Sequence, residues 1–229
     1  MSKKEKKGTQ IQEFENVQNV LSKSEAFVEK NQKKLFYGFV AIILVISAVL
    51  AYQNYFLAPR EKEAQELIFK AEQHFAKDSF QLALDGDGIN LGFLAIIDEY
   101  GSTRTANLAK AYAGICYKAL GDYETAISYL KKFDADDIAV TPAVEGAIGD
   151  CYLELGEKEK AITFFQKAIA SNNDVISPLY LQRMGLVYLS MGENKKAVAA
   201  FEEIKNNYFS SQLAADIDKY IQLATLKQE

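Results

Sequence analysis

Tryptophan is absent, histidine occurs once, cysteine twice and proline three times in the 229 residues of the chain. A single histidine, His74, excludes a multi-histidine metal centre. Two cysteines exclude a disulfide-dense secreted scaffold, and three prolines exclude a proline-rich fibre. Positive charge is not in excess: the formal net charge is −5, against the clustered Lys and Arg that a nucleic-acid surface needs. The rest is ordinary for a folded chain. Apolar residues make up 49% and charged residues 25%, which excludes wholesale disorder. At about 150 residues per domain, the length corresponds to roughly one and a half domains.

Charge is distributed in three blocks. Residues 1–34 hold eight lysines (Lys3, Lys4, Lys6, Lys7, Lys23, Lys30, Lys33 and Lys34) against five glutamates, residues 35–57 hold no charge, and residues 58–229 are net acidic. The uncharged run, from Leu35 to Leu57, would cover about 34 Å as a helix, enough for a hydrocarbon core of about 30 Å. Phe36 and Tyr37 at one end and Tyr52, Tyr55 and Phe56 at the other match interfacial aromatic belts. No polar stripe appears between Phe39 and Ala51, as a core helix would show. The run is also too long, and its leader too long, for a cleaved secretory signal. An uncleaved transmembrane helix is predicted. Lys30, Lys33 and Lys34 crowd its N-terminal end, whereas Arg60 and Lys62 beyond it are interleaved with Glu61 and Glu63. The positive-inside rule then puts the N-terminus in the cytoplasm and residues 58–229 across the membrane. Within the leader, Ile11, Phe14, Val17, Leu21, Phe27 and Val28 recur at roughly helical spacing. That pattern fits a surface-lying amphipathic helix or a partly ordered lysine-rich leader. Ser47 and Ala51 form a small-xxx-small pair of a kind too common to carry weight.

Beyond residue 106 the chain repeats itself. Gly114, Tyr117, Gly121, Ala126 and Leu130 return as Gly149, Tyr152, Gly156, Ala161 and Phe165, then as Gly185, Tyr188, Gly192, Ala197 and Phe201. Pro142 and Pro178 open the second and third units, where a proline in the first helical turn sacrifices no hydrogen bond. Each position has a physical reading. Gly114, Gly149 and Gly185 let two antiparallel helices approach closely, and the alanines sit where those helices cross. Tyr117, Tyr152 and Tyr188 are expected between neighbouring hairpins, with Leu130, Phe165 and Phe201 capping each pair. Gly121, Gly156 and Gly192 make the turn in a left-handed conformation. The pattern resembles the tetratricopeptide repeat, a helix-turn-helix unit of about 34 residues.

Upstream, Glu61 to Ala83 reads as one helix with Ala64, Leu67, Ile68, Ala71, Phe75 and Ala76 on one face, and Leu91 to Tyr100 as a second, forming a degenerate first hairpin. Downstream, Ser210 or Ser211 can cap a final helix to about Lys227 with Leu213, Ile217, Tyr220, Ile221 and Ala224 inward. The expected fold is all-α: a single N-terminal transmembrane helix, then an α-solenoid of helical hairpins with a C-terminal capping helix, roughly nine helices and no strands. The expected segments are a cytoplasmic leader at 1–34, the span at 35–57, the degenerate hairpin at 58–106, three repeats at 107–209 and the capping helix at 210–229.

Sites for chemistry are sought and not found. The stretch from Asp85 to Asn90 suggests a calcium loop, but an EF-hand needs an oxygen ligand at position five, glycine at six and glutamate at twelve. Ile89, Asn90 and Ile96 stand there instead, so a tight inter-helix turn is expected. Gly86, Gly88 and Gly92 follow no strand, which excludes a phosphate cradle. His74 reads as a packed histidine. Cys116 and Cys151 share one offset in adjacent repeats; helices lie about 9–10 Å apart, beyond the roughly 7 Å that a disulfide spans, so two reduced, partly buried thiols are expected. Asp134, Asp136 and Asp137 read as solvated loop charge. No enzymatic constellation, metal site, cofactor or small-molecule substrate is expected.

What remains is the concave face lined by the first helix of each repeat. Its expected groove residues are Leu108, Ala111, Ile115 and Lys118, then Ala143, Gly146, Asp150 and Leu153, then Leu179, Gln182, Leu186 and Leu189. A mixed apolar groove favours an extended or helical segment of another protein. The Lys/Asn clamp by which related repeats grip a C-terminal carboxylate is missing. Lys30, Asn31, Gln32, Lys33 and Lys34 ahead of one span, then a far-side repeat domain entered through Gly92 to Tyr100, resemble the ancillary Sec translocon subunit family. That resemblance implies a bacterial inner-membrane protein with periplasmic repeats, a scaffold meeting the translocon, exported proteins or periplasmic chaperones. The alternatives are an organelle-surface targeting-peptide receptor of opposite topology and a structural organiser of a division or cell-wall machine.

Overall fold

The computed structural model describes residues 30–135 and 137–227. The leader pattern from Ile11 to Val28 and Asp136 lie outside the described residues. The chain divides into two compact units, Met1–Ala58 and Pro59–Glu229.

In the first unit, helix α1 (30–52) runs into a π-helical turn, Gln53–Leu57. The most apolar 18-residue window of this helix has a mean hydropathy of 2.5, and none of it is buried. By length and composition it can cross a membrane. Tyr52 stacks on Phe56 at 5.2 Å between ring centroids.

The second unit is helical throughout: α2 (Ala58–Phe75), α3 (Phe80–Asp85), α4 (Phe93–Glu99), α5 (Arg104–Leu120), α6 (Tyr123–Leu130), α7 (Val140–Glu154), α8 (Lys158–Ile169), α9 (Ile176–Ser190), α10 (Asn194–Asn207), a 3-10 turn (Gln212–Asp216) and α11 (Ile217–Leu226). Among the described residues that makes ten α-helices in this unit against the roughly nine expected. Among the described residues there is no strand, only an isolated bridge between Gly86 and Leu91.

Three hairpins, α5–α6, α7–α8 and α9–α10, share one construction. Gly121, Gly156 and Gly192 turn the chain at φ +85°, +78° and +77°, a region that costs any residue with a Cβ. Where the helices cross, Ala126, Ala161 and Ala197 are fully buried. At Gly114, Gly149 and Gly185 an added Cβ would meet Leu130, Phe165 and Phe201 at 2.4, 2.6 and 2.3 Å. The large residue of the second helix therefore lies on the glycine of the first, rather than capping the pair. Each such side chain, withdrawn wholly from water, contributes about 1.5–3 kcal/mol.

The tyrosines also differ from expectation. Tyr117 stacks on Tyr129 and Tyr152 on Phe164, both at 5.3 Å, so they close their own hairpins as well as meeting the hairpin before. The reason is geometric: the partner sits twelve residues later, where the returning helix passes the tyrosine. Tyr117 packs against the core of the first hairpin, and the Tyr152 hydroxyl reaches the hairpin before its own, accepting from Lys131 Nζ at 2.8 Å.

The first hairpin corrects the sequence reading most. The helix expected from Glu61 to Ala83 stops at Phe75. Asp78 takes φ 56°, which a short polar side chain tolerates, and the chain restarts as α3. Ala76, expected inward, is exposed. The break lets Phe75 meet Phe80, Phe93 and Tyr112, with Phe93 and Tyr112 stacked at 4.9 Å. The segment from Asp85 to Asn90 is a turn: the Asp87 carboxylate accepts from the backbone of Ile89 at 3.0 Å and of Asn90 at 2.7 Å, which holds its pKa well below the usual carboxylate value, the Asn90 hydrogen bonds contributing most. Glu61 ties α2 to α5, accepting from Arg104 N at 2.6 Å and Thr105 Oγ1 at 2.7 Å.

At the C-terminal end, Ser211 is the capping serine; its hydroxyl accepts from Leu213 N at 3.3 Å. Ile217 and Ala224 are fully buried and Tyr220 meets Phe201 at 5.5 Å. Helix α11 packs on α10 and so covers the last apolar face.

Candidate functional site: the first-helix groove

Helices α5, α7 and α9 stand side by side, and the end of α2 borders them. Between α5 and α7 opens an apolar groove of about 310 Å³ lined by Leu108, Ala111, Ile115 and Ala143 from the expected set, with Phe75, Tyr112, Ala139, Val140 and Val144 added. Helical periodicity puts Phe75 on the inward face of one long helix, and only the break after it brings its ring to the groove. Tyr112 had a legible signal, lying one turn beyond Leu108 on the same face. Its hydroxyl pKa is raised, mainly by burial and further by Glu72.

Beside the apolar groove runs a polar ladder across all three helices. Asp150 on α7, its side chain 9% exposed, accepts from Lys118 Nζ on α5 at 3.0 Å and from the Arg183 guanidinium on α9. Burying a carboxylate is tolerable only when it is so paired. Lys118 and Asp150 were expected on this face; Arg183 was not, because adjacent repeats carry Tyr112 and Ala147 at its offset.

The remaining expected residues divide. Leu153, Leu179 and Leu189 are half-buried against the core, Gln182 is half-buried, and Leu186 is 41% exposed. Gly146 does not face the groove. A Cβ there would fall 1.9 Å from Tyr180 Cζ, so the tyrosine ring of the next repeat occupies its face. Burial pushes the Tyr180 hydroxyl up to about 12. Cys116 and Cys151 are free and buried behind the same helices. Desolvation raises their thiols to about 12 and about 11, so neither is a nucleophile at neutral pH. Among the described residues no three His, Cys, Asp or Glu side chains gather to hold a metal ion.

Family models of the tetratricopeptide repeat match residues 112–136, 146–175 and 180–208, one for each hairpin. The three hairpins are thus similar in sequence to tetratricopeptide repeats. Solved structures agree on the fold. A crystal structure of MamA superposes with a TM-score of 0.50 at 24% identity, covering 69% of this chain and 94% of that one. A second MamA structure gives 0.52 at 22% identity, covering 74% and 92%. A tetratricopeptide repeat protein from Parabacteroides merdae ATCC 43184 gives 0.58 at 17% identity, covering 72% of this chain and 60% of that one. At these identities the likeness is one of fold. No curated protein matches the chain. Repeats of this type are protein-interaction scaffolds, and the groove between α5 and α7 is where this scaffold offers apolar surface.

Proposed function

We propose that the chain is a single-span, membrane-anchored scaffold that holds a segment of another protein against α5, α7 and α9. The observation that carries this reading is the open apolar groove lined by Leu108, Ala111, Ile115 and Ala143, bordered by the Lys118–Asp150–Arg183 ladder. Between α7 and α9 the corresponding space beside Gly146 is filled by Tyr180, and the solenoid end is covered by α11. An apolar trough with a polar margin suits a short peptide segment, its apolar side chains seated and its backbone hydrogen bonds met at the rim. The apolar, unburied stretch of α1 ahead of the repeats supports anchoring. The lysines of residues 1–34 support a cytoplasmic N-terminus, with the repeats in the periplasm of a bacterial inner membrane. The combination of leader, span and repeats supports the role of an ancillary subunit of the protein-export translocon, meeting exported proteins or periplasmic chaperones. Added protease should degrade the repeats in spheroplasts and spare them in inverted vesicles. Photo-crosslinkers at Leu108 or Leu186 should capture protein, whereas one at Gln222 on α11 should not. Equal capture from all three positions refutes the groove, and protection of the repeats in spheroplasts refutes the topology.

A further inference from the structure

Large apolar side chains stand in solvent at one repeated position of the solenoid. In each of the three repeats α5–α6, α7–α8 and α9–α10 the connection to the following unit carries one: Ile138 between α6 and α7, Val175 between α8 and α9, and Phe209 after α10, exposed by 79%, 78% and 79%. Single exposed apolar residues are ordinary. Recurrence at the same connection three times in succession is different, because hairpins stacked in register bring equivalent connections to one edge.

That edge can be followed from the point where the chain enters the unit. Glu61 accepts from Arg104 N at the start of α5, and the Arg60 guanidinium donates to the Glu99 carbonyl at the end of α4. Asn107, less than a turn along α5, donates to the Asp134 carbonyl at 2.7 Å and accepts from Asp134 N at 3.1 Å, in the α6–α7 connection. Asp137 and Ile138 in turn share a crevice of about 500 Å³ with Ala170 and Ser171 of the α8–α9 connection. The row of apolar residues therefore lies on the edge where Pro59, Arg60 and Glu61 lie, two residues beyond Leu57. On the opposite edge the hairpin turns set Asp122, Glu157 and Glu193, one acidic residue behind or beside each turn glycine.

We propose that this edge rests on the membrane in which residues 35–57 are anchored, with Ile138, Val175 and Phe209 inserted at the boundary between headgroups and acyl chains. The proposal rests on reading residues 35–57 as a span. Ala58 and Pro59 open α2 directly after Leu57 and advance only about 3 Å as helix, less than one headgroup layer, so the chain's own path tethers this edge near the lipid surface. Tethering makes the effective concentration of lipid high, and three modest insertions then suffice. Charge does not drive the contact. Arg104, Lys131 and Lys132 on this edge are balanced by Asp134, Asp137 and Asp174, so the binding is apolar and independent of anionic lipid.

The test labels single introduced cysteines with an environment-sensitive dye in the full chain reconstituted into vesicles. The two native thiols are buried and stay unlabelled in the folded protein. Ile138→Cys, Val175→Cys and Phe209→Cys report the edge. Ile89→Cys is the control, since Ile89 is 92% exposed in the α3–α4 connection, whose Asp87 lies 3.6 Å from His74 at the far end of α2. Val45→Cys reports the span. Vesicles are either pure phosphatidylcholine or an equal mixture of phosphatidylethanolamine and phosphatidylglycerol, each carrying lipids with a shallow or a deep spin-label quencher. The expected result is several-fold quenching by the shallow label at positions 138, 175 and 209 in both vesicles, none at 89, and quenching at 45 by the deep label. Edge positions quenched no more than position 89, with position 45 quenched, overturn the proposal and leave the span standing. An unquenched position 45 overturns both. Edge quenching that requires phosphatidylglycerol overturns apolar insertion in favour of charge binding.

Discussion

Replacing Gly149 by alanine perturbs the contact from which every hairpin is built. The new Cβ would sit 2.6 Å from both Cδ1 and Cε1 of Phe165 and 3.2 Å from the Ala161 carbonyl oxygen. Carbon atoms in contact keep about 3.5–4.0 Å, so the ring must retreat by about 1 Å. It has little room to do so, because Phe165 is fully buried and stacks on Tyr180 at 5.5 Å. Overpacking of this kind costs about 1–3 kcal/mol, while exchanging a helical glycine for alanine gains about 1 kcal/mol. The net expectation is a loss of about 1 kcal/mol. A reversal of sign is the sharper expectation. In a Phe165→Ala background, itself less stable by about 3–5 kcal/mol, the ring is gone and Gly149→Ala should stabilise by up to about 1 kcal/mol. Urea unfolding of the full chain in mild detergent, followed by far-UV circular dichroism, gives the four midpoints of this cycle. Equal effects of Gly149→Ala in both backgrounds, or a stabilised single variant, refute the packing argument.

Three further outcomes are expected. Cys116 and Cys151, with thiols raised to about 12 and about 11, should resist a thiol reagent at pH 8 in the folded chain and both react in urea; rapid native labelling would contradict their burial. Asp87→Asn should lower the melting temperature at pH 7, and the difference should fade as pH falls below about 4. The sign follows from linkage: the folded-state pKa lies below the unfolded one, so the carboxylate stabilises fully above the unfolded value and less as acid protonates it. A difference that persists unchanged to pH 2 would exclude that origin. Asp150→Ala should destabilise by about 1–2 kcal/mol rather than the 3–5 kcal/mol of a fully buried pair. Lys118 and Arg183 are 30% and 42% exposed and can turn to water; thermal melts with each partner also replaced should show the loss to be coupled.

The repeats were legible because their reasons are local. A glycine that must adopt positive φ and a glycine beneath a large side chain tolerate few substitutes, so Gly121 and Gly149 mark a turn and a helix crossing wherever the pattern recurs. The groove was half legible. Helical periodicity set Leu108, Ala111 and Ile115 on one face, and the structure lines the groove with all three. Periodicity could not reveal that Tyr180 reaches back to cover Gly146, since the covering ring belongs to another repeat. It also could not foresee Arg183 beside Asp150, because a cation finds its anion across helices, free of any sequence spacing. The first hairpin was misread for a related reason: Ala76, Lys77, Asp78 and Ser79 do not forbid a helix, and only the gain from gathering Phe75, Phe80, Phe93 and Tyr112 breaks it there.

From the amino-acid order alone came the all-helical character, the thirty-five-residue rhythm and an uncharged stretch long enough to cross a bilayer, all set by short-range sterics and hydropathy. The tertiary structure decided which aromatic ring fills which gap, where α2 ends, and that Lys118, Asp150 and Arg183 meet. It also brought Ile138, Val175 and Phe209 to the edge where the chain enters. Those outcomes depend on contacts between segments distant in sequence, whose energies are realised only once the hairpins stack.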